Sequence, residues 1–172
     1  HSLQIEKNES ETGIVYAVGS DLSNRNFDNL NLQNAVFDKA DLSNTSFKNA
    51  NIEGARFVFA NLSNSNLLDR IDLSNINLAG TDLSNVSLKG KNLSGTILTG
   101  ADLTGEILTG ADLTGTILTR ADLTDAILRG ANLSGNDLTG TILTGADLTG
   151  TILTGADLSD AILTGADLSG YD

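Results

Sequence analysis

A large apolar residue every fifth position constrains this chain more than anything else in it. From residue 101 the sequence runs ADLTG EILTG ADLTG TILTR ADLTD AILRG, with Leu103, Leu108, Leu113, Leu118, Leu123 and Leu128 in step. The same phase extends from Leu73 to Leu168, so residues 71–170 are twenty consecutive pentapeptides. Residues 20–69 hold ten more in a shifted phase, centred on Leu22, Phe27, Leu32, Phe37, Leu42, Phe47, Ile52, Phe57, Leu62 and Leu67. One extra residue near Arg70 separates the two phases. An α-helix carries position i+5 about 140° around its axis and would smear the column over its whole surface. A flat strand would send successive centres to opposite faces, because five is odd and the side-chain period is two. What remains is a chain that turns once per pentapeptide, keeps the centre toward an enclosed axis, and sets Gly, Asn or Asp at the turn.

Ala101, Asp102, Leu103, Thr104 and Gly105 match the motif of the pentapeptide repeat family: Ala, Asp or Asn, Leu, then two variable residues. The chain resembles that family over residues 20–170. The resemblance implies an all-β fold, a right-handed quadrilateral β-helix with four pentapeptides per coil and about seven and a half coils. It also implies that the centre and the small residue two before it point inward. A 20-residue coil stacks Phe27 on Phe47 and Phe37 on Phe57 as two ladders on opposite sides, in one core with Leu103, Leu113 and Leu123. At ~4.8 Å per coil the rod is roughly 36 Å long. Each buried centre contributes roughly 2 kcal/mol.

Residues 1–19 depart from the repeat and are expected to form an N-terminal cap, with Ile14, Val15, Tyr16, Ala17 and Val18 as a strand over the first coil. An open β-edge templates aggregation unless something blocks it. Residues 171–172 follow the last repeat with no cap in view, so Leu153, Leu158, Leu163, Leu168 and Tyr171 are expected to form an end-to-end homodimer interface. The extra residue near Arg70 should bulge at a corner. A second irregularity, ANLSG followed by NDLTG at 131–140, slips the alternation of outward residues. Outward Ile97, Ile107, Ile117 and Ile127 therefore occupy one opposite pair of sides, and Ile142, Ile152 and Ile162 the other.

Composition closes several functional classes. The one His is His1 and there is no Cys, so neither a Ser-His-Asp triad nor a His- or Cys-based metal centre can be assembled. Gly recurs at turn spacing without a dinucleotide or phosphate-loop pattern, and no cofactor is expected. The chain is not expected to be an enzyme. Asp82, Asp102 and Asp122 would stack at ~4.8 Å, a ladder that suits hard cations. The simpler reading gives each Asp to its own turn, and no metal site is assigned. Columns such as Thr104, Thr114 and Thr124 suit an ice-binding array, and equally suit the ordinary use of Thr as a strand former.

Ten Lys and Arg against 22 Asp and Glu give a net charge of −12, which excludes direct binding to nucleic acid or to an anionic membrane. No apolar run is long enough to span a bilayer. Residues 130–172 hold six Asp and no Lys or Arg, a charge of −6. Over roughly 10 Å of rod this approaches the one charge per ≈ 1.7 Å of duplex DNA. The reading is a structural or protein-interaction scaffold with an unspecified protein partner. The alternative, which the family resemblance implies, is an acidic DNA mimic that regulates a type II topoisomerase such as gyrase. Its partner surface would comprise Asp137, Asp147, Asp157, Asp160 and Asp167. A chain that starts at His1 implies an upstream segment removed, and the repeat resembles cyanobacterial members, some exported. The expectation is a soluble protein, exported to periplasm or thylakoid lumen or else cytoplasmic.

Overall fold

A computed structural model describes residues 4–6, 14–69, 72–84 and 87–170. Parallel bridges join each residue before a centre to its counterpart 20 residues on, as in Asp21 to Asp41, Asn26 to Ser46, Asn31 to Asn51 and Val36 to Arg56. Each pentapeptide is therefore one side of a four-sided coil, and each side contributes a single bridging residue.

The local chemistry repeats with the sequence. The centre and the residue two after it donate to the coil above, as Leu103 N to Asp122 O (2.8 Å) and Gly105 N to Thr124 O (2.8 Å). The residue before the centre donates downward, as Asp122 N to Ala101 O (3.0 Å). The corner closes by Ala101 N to Leu98 O (3.0 Å), a turn whose third residue, Gly100, has φ +64°. That left-handed conformation is why the position is Gly in the later repeats and mostly Asn in the earlier ones.

Side chains two before each centre face inward with the centre, and Ala35, Ala55, Ala101 and Ala121 are fully buried there. Where Thr replaces Ala, its hydroxyl donates to the preceding corner carbonyl, as Thr116 Oγ1 to Leu113 O (2.6 Å) and Thr81 Oγ1 to Leu78 O (2.6 Å). Phe27 stacks on Phe47 with ring centroids 5.0 Å apart, and Phe37 on Phe57 at 5.4 Å. The two columns meet edge-on across the axis, with Phe37 and Phe47 centroids 6.3 Å apart.

At the N-terminal end, β1 (Gln4–Glu6) pairs antiparallel with β2 (Ile14–Tyr16), and Tyr16 bridges to Val36. Val15 and Ala17 are buried and Gly19 takes the corner conformation, φ +64°. Residues 15–19 thus already form a side of the first coil, and the segment expected as a cap is partly the repeat itself. At the other end the centres Leu153, Leu158, Leu163 and Leu168 are only partly buried, whereas Leu148 and the centres before it are fully enclosed. Tyr171 and Asp172 lie outside the described residues.

The phase change falls at Arg70, and the bulge expected there lies outside the described residues; the seam is described on either side of it. A 3-10 turn, Asn66–Asp69, precedes it and turns Leu67 and Leu68 into the core. The bridge from Arg56 reaches Asn77, 21 residues on. Backbone hydrogen bonds cross the seam from Phe57 N to Asn77 O, Phe59 N to Ala79 O and Asn77 N to Ala55 O. All three lie on the side centred on Phe57. On the next side, Leu42 and Asn44 donate upward to Asn61 O and Ser63 O, but among the described residues no such bond leaves Leu62 or Asn64. The core runs through, filled by Leu67, Leu68 and Ile76.

Candidate interaction surfaces

Asp residues before the centres are tied into their own turns. Asp102 Oδ1 accepts from Thr104 N (3.0 Å), and Asp112 Oδ1 accepts from both Thr114 N (3.0 Å) and Thr114 Oγ1 (2.6 Å). The Thr114 hydroxyl and backbone N–H hold the Asp112 carboxyl below its ordinary value, because both bond the charged form. The neighbouring hydroxyl and N–H do the same for Asp147 and Asp157. For Asp167 the Ser169 N–H leads, followed by the Ser169 hydroxyl. Asp82 and Asp102 do stack in register. Among the described residues, no group of three His, Cys, Asp or Glu side chains converges as a ligand set. The turns account for these carboxylates.

The five acidic residues singled out from the sequence do not form one patch. Asp137 bridges to Asp157 on the side that continues from Ile97 and Ile117, and Asp147 bridges to Asp167 on the opposite side, above Ile107 and Ile127. Asp160 sits at a corner with φ +58°. The separation follows from the repeat. Asp alternates with Ile along the chain, successive pentapeptides occupy successive sides, and so like residues land on opposite sides. Arg129 Nε donates to Asp147 Oδ2, which leaves Asp137, Asp157 and Asp167 beyond the last cation of the chain.

Two features escaped the sequence reading. Glu106 and Asn136 are at most 2% exposed, each at the inward position two before a centre. Both Asn136 side-chain atoms, Oδ1 and Nδ2, lack a hydrogen-bond partner. The inward rule, applied to EILTG and NDLTG, was signal enough to find them. Phe59 is 63% exposed and takes φ +55° at a corner that the rest of the repeat fills with small or polar residues. Its ring lies against Gly80, where a Cβ would come within 2.1 Å of Phe59 Cε1. Tyr16 and Val18, two coils below on the same side, are also exposed.

Among the described residues, two open clefts flank the seam. The larger, about 490 Å³, is lined by Leu62, Ser63, Asn64, Ser65, Leu68, Asp69, Asp82, Ser84 and Ser87. The smaller, about 290 Å³, lies on another side between Asn51, Ile52, Glu53 and Asp72, Ser74, Asn75. No helix among the described residues is long and apolar enough to cross a membrane.

The family comparison agrees with this architecture. The family model of pentapeptide repeats matches in eight copies, over residues 18–54, 31–67, 67–105, 107–145 and 137–170. No match was found among curated proteins. Among solved structures, a pentapeptide repeat protein of the Arabidopsis thaliana thylakoid lumen is 33% identical, covering 60% of this chain and 66% of that one, with a TM-score of 0.46. HetL, a pentapeptide repeat protein involved in heterocyst differentiation regulation in the cyanobacterium Nostoc, is 26% identical over 88% of both chains, with a TM-score of 0.28. QnrB1, a plasmid-mediated fluoroquinolone resistance protein, is 19% identical over 91% of this chain and 90% of its own, with a TM-score of 0.43. With the family model matched along almost the whole four-sided rod, the chain belongs to the pentapeptide repeat family, whose members are right-handed quadrilateral β-helices.

Proposed function

We propose that the rod is a non-enzymatic interaction scaffold whose acidic later coils engage a basic surface of a protein partner. The observation that carries this reading is the pair of opposite Asp columns, Asp137 with Asp157 and Asp147 with Asp167, each carboxylate oriented by its own turn. A preset array of like charges steers association and loses no side-chain freedom when a cationic partner docks.

The test uses Asn, which preserves the turn and removes the charge. Asn132 already occupies this position, its Oδ1 accepting from Ser134 N (3.1 Å). A variant carrying Asp137→Asn, Asp147→Asn, Asp157→Asn and Asp167→Asn should stay folded, with a slightly lower melting temperature, and lose salt-dependent binding to cytochrome c, used as a basic probe. Equal binding by both proteins sinks the reading. A second reading, a DNA mimic acting on a type II topoisomerase, is favoured by the placement of acid on two opposite sides, as phosphates flank a duplex. Inhibition of gyrase supercoiling at micromolar rod, abolished in the same variant, would select it over a general scaffold.

A further inference from the structure

We propose that the side of the rod carrying Ile97 is a self-association face, on which a second copy of this chain lies antiparallel. This goes beyond the scaffold reading and leaves the Asp147 and Asp167 column, on the opposite side, open to a partner. Parallel bridges run along this side without a break from Val36 through Arg56, Asn77, Ile97 and Ile117 to Asp157, so each outward residue has a fixed level on the rod. Charge changes sign along it. Lys39, Arg56 and Arg120 come first, with Asp38 held by Arg56 Nη2 (2.7 Å), and Asp137, Asp157 and Asp160 follow. Between the two ends the outward residues are apolar or neutral, with Val58, Ala79, Ile97, Thr99 and Ile117 among them.

A two-fold axis lying in the interface, along the strand direction and level with Ile97, sets every column against its own reverse. A residue two coils before Ile97 then meets the partner's residue two coils after it. Arg56 faces the partner's Asp137 in this way, and its side chain, still 52% exposed beside Asp38, keeps guanidinium N–H groups for that contact. In the corner column Lys39, three coils before Gly100, faces the partner's Asp160, three coils after. Both pairs form twice by symmetry. Sliding the partner by one coil, so that Arg56 meets Ile117, also puts Lys39 opposite Gly140, so the two pairs select the same register. The corner column accounts for Phe59 as well. Its ring, on a residue 63% exposed, leans one coil forward against Gly80, and Arg120 likewise leans toward Gly140, where a Cβ would lie 3.6 Å from Arg120 Cγ. Under the axis the partner's Arg120 stands opposite Gly80 and leans back over the Phe59 ring, a cation–π contact, while the ring's own residue faces the partner's Gly140.

Sedimentation equilibrium of the full chain at about 100 μM and ~0.15 M salt, where exposed charges more than about 8 Å apart are screened, should give twice the chain mass of 17.9 kDa. Lys39→Asp or Asp160→Lys alone should weaken the dimer at least tenfold, by setting like charges against each other. Both corners are left-handed, φ +59° and +58°, and each variant receives the residue type that the other corner already holds, so folding is kept. Combining the two swaps the charges and should restore the wild-type affinity. Phe59→Asn, the usual corner residue of the earlier coils, should weaken the dimer about threefold. The chain has no Cys, so Ile97→Cys, on the axis, should oxidise to a disulfide-linked dimer, whereas Ile107→Cys, exposed on the opposite side, should not. A monomer at this concentration, a dimer indifferent to both single charge variants, single variants that the double does not rescue, or cross-linking through Ile107 in place of Ile97 overturns the proposal. None of these measurements contains a basic partner, so failure here leaves the scaffold reading to its own test.

Discussion

The rod on either side of the seam solves one geometric problem with two chemistries. Before residue 70 the corners carry Asn24, Asn29, Asn34, Asn44, Asn49 and Asn64, all at φ between 56° and 59°. Their amides link coil to coil, as Asn49 Nδ2 to Asn29 Oδ1 and Asn64 Nδ2 to Asn44 Oδ1, both at 3.3 Å. The core there is aromatic, two Phe stacks meeting edge-on. After residue 71 the corners are mostly Gly, the core centres are Leu throughout, and Asp and Thr bond within one turn, with axial side-chain links such as Asn92 Nδ2 to Asp72 Oδ1 away from the corners. The comparison teaches that the five-residue period dictates the coil and leaves its reinforcement free. Both halves brace each turn from within, and the earlier half adds stacked rings and corner amides along the axis. Each aromatic pair is worth about 0.5–1.5 kcal/mol beyond burial, so the earlier half should be the more resistant to core damage elsewhere and the more sensitive to loss of a ring.

The largest effect comes from charge in the core. Leu113→Asp should abolish folding, because a carboxylate would sit where Leu113 is 1% exposed, and a cooperative wild-type melt would refute the register. Truncation compares the halves directly. Phe47→Ala should cost about 3–5 kcal/mol and more than Leu113→Ala, since it leaves a ring-sized void and ends a stack. Chemical denaturation measures both, and equal costs would remove the case for an aromatic brace.

Corner chemistry gives smaller numbers. Gly110→Ala meets no atom within 4 Å, so it should cost only the left-handed penalty of about 1–2 kcal/mol. Gly80→Ala should cost more, because its Cβ collides with the Phe59 ring, and Phe59→Ala in the same chain should recover the excess. Asn136→Thr runs the other way. It should stabilise by about 1–2 kcal/mol by giving the buried site a hydroxyl that reaches Leu133 O, as Thr116 reaches Leu113 O. A lower melting temperature would mean that the amide is satisfied in solution.

Acid should have the mildest effect. Asp112, Asp147, Asp157 and Asp167 have folded-state pKa values depressed below 3.8, so their contribution is present above that pH and is lost as pH falls through the folded values. The melting temperature should be flat from neutrality to about pH 5 and decline below about 4. A rise on acidification would show that repulsion among the Asp columns outweighs their turns.

Much of this was legible in the sequence because position within the repeat determines direction in space. The pairing of Phe27 with Phe47 and of Phe37 with Phe57 needed only the 20-residue coil. The start of the coil at Val15 was hidden because Ala17, a small residue, holds the centre where every later repeat has a large one. The seam was legible as a slip in phase but not in its consequence. Periodicity records one added residue, whereas the 3-10 turn that takes both Leu67 and Leu68 into the core, and the uneven hydrogen bonding of the sides among the described residues, appear only in three dimensions. The division of the acidic residues was implicit in the alternation of Asp and Ile, and appears only when pentapeptides are assigned to sides.

Backbone hydrogen exchange across the seam tests the two-part rod most directly. Residue-resolved exchange should find Leu42, Asn44, Leu103 and Gly105 amides protected by their bonds to the coil above, and Phe57 and Phe59 protected on the side that stays joined. Leu62 and Asn64, equivalent in sequence to Leu42 and Asn44, should exchange at least a hundredfold faster than those two. Uniform protection of Leu42, Leu62 and Leu103 would mean that the ladder is continuous on every side, and would contradict the account.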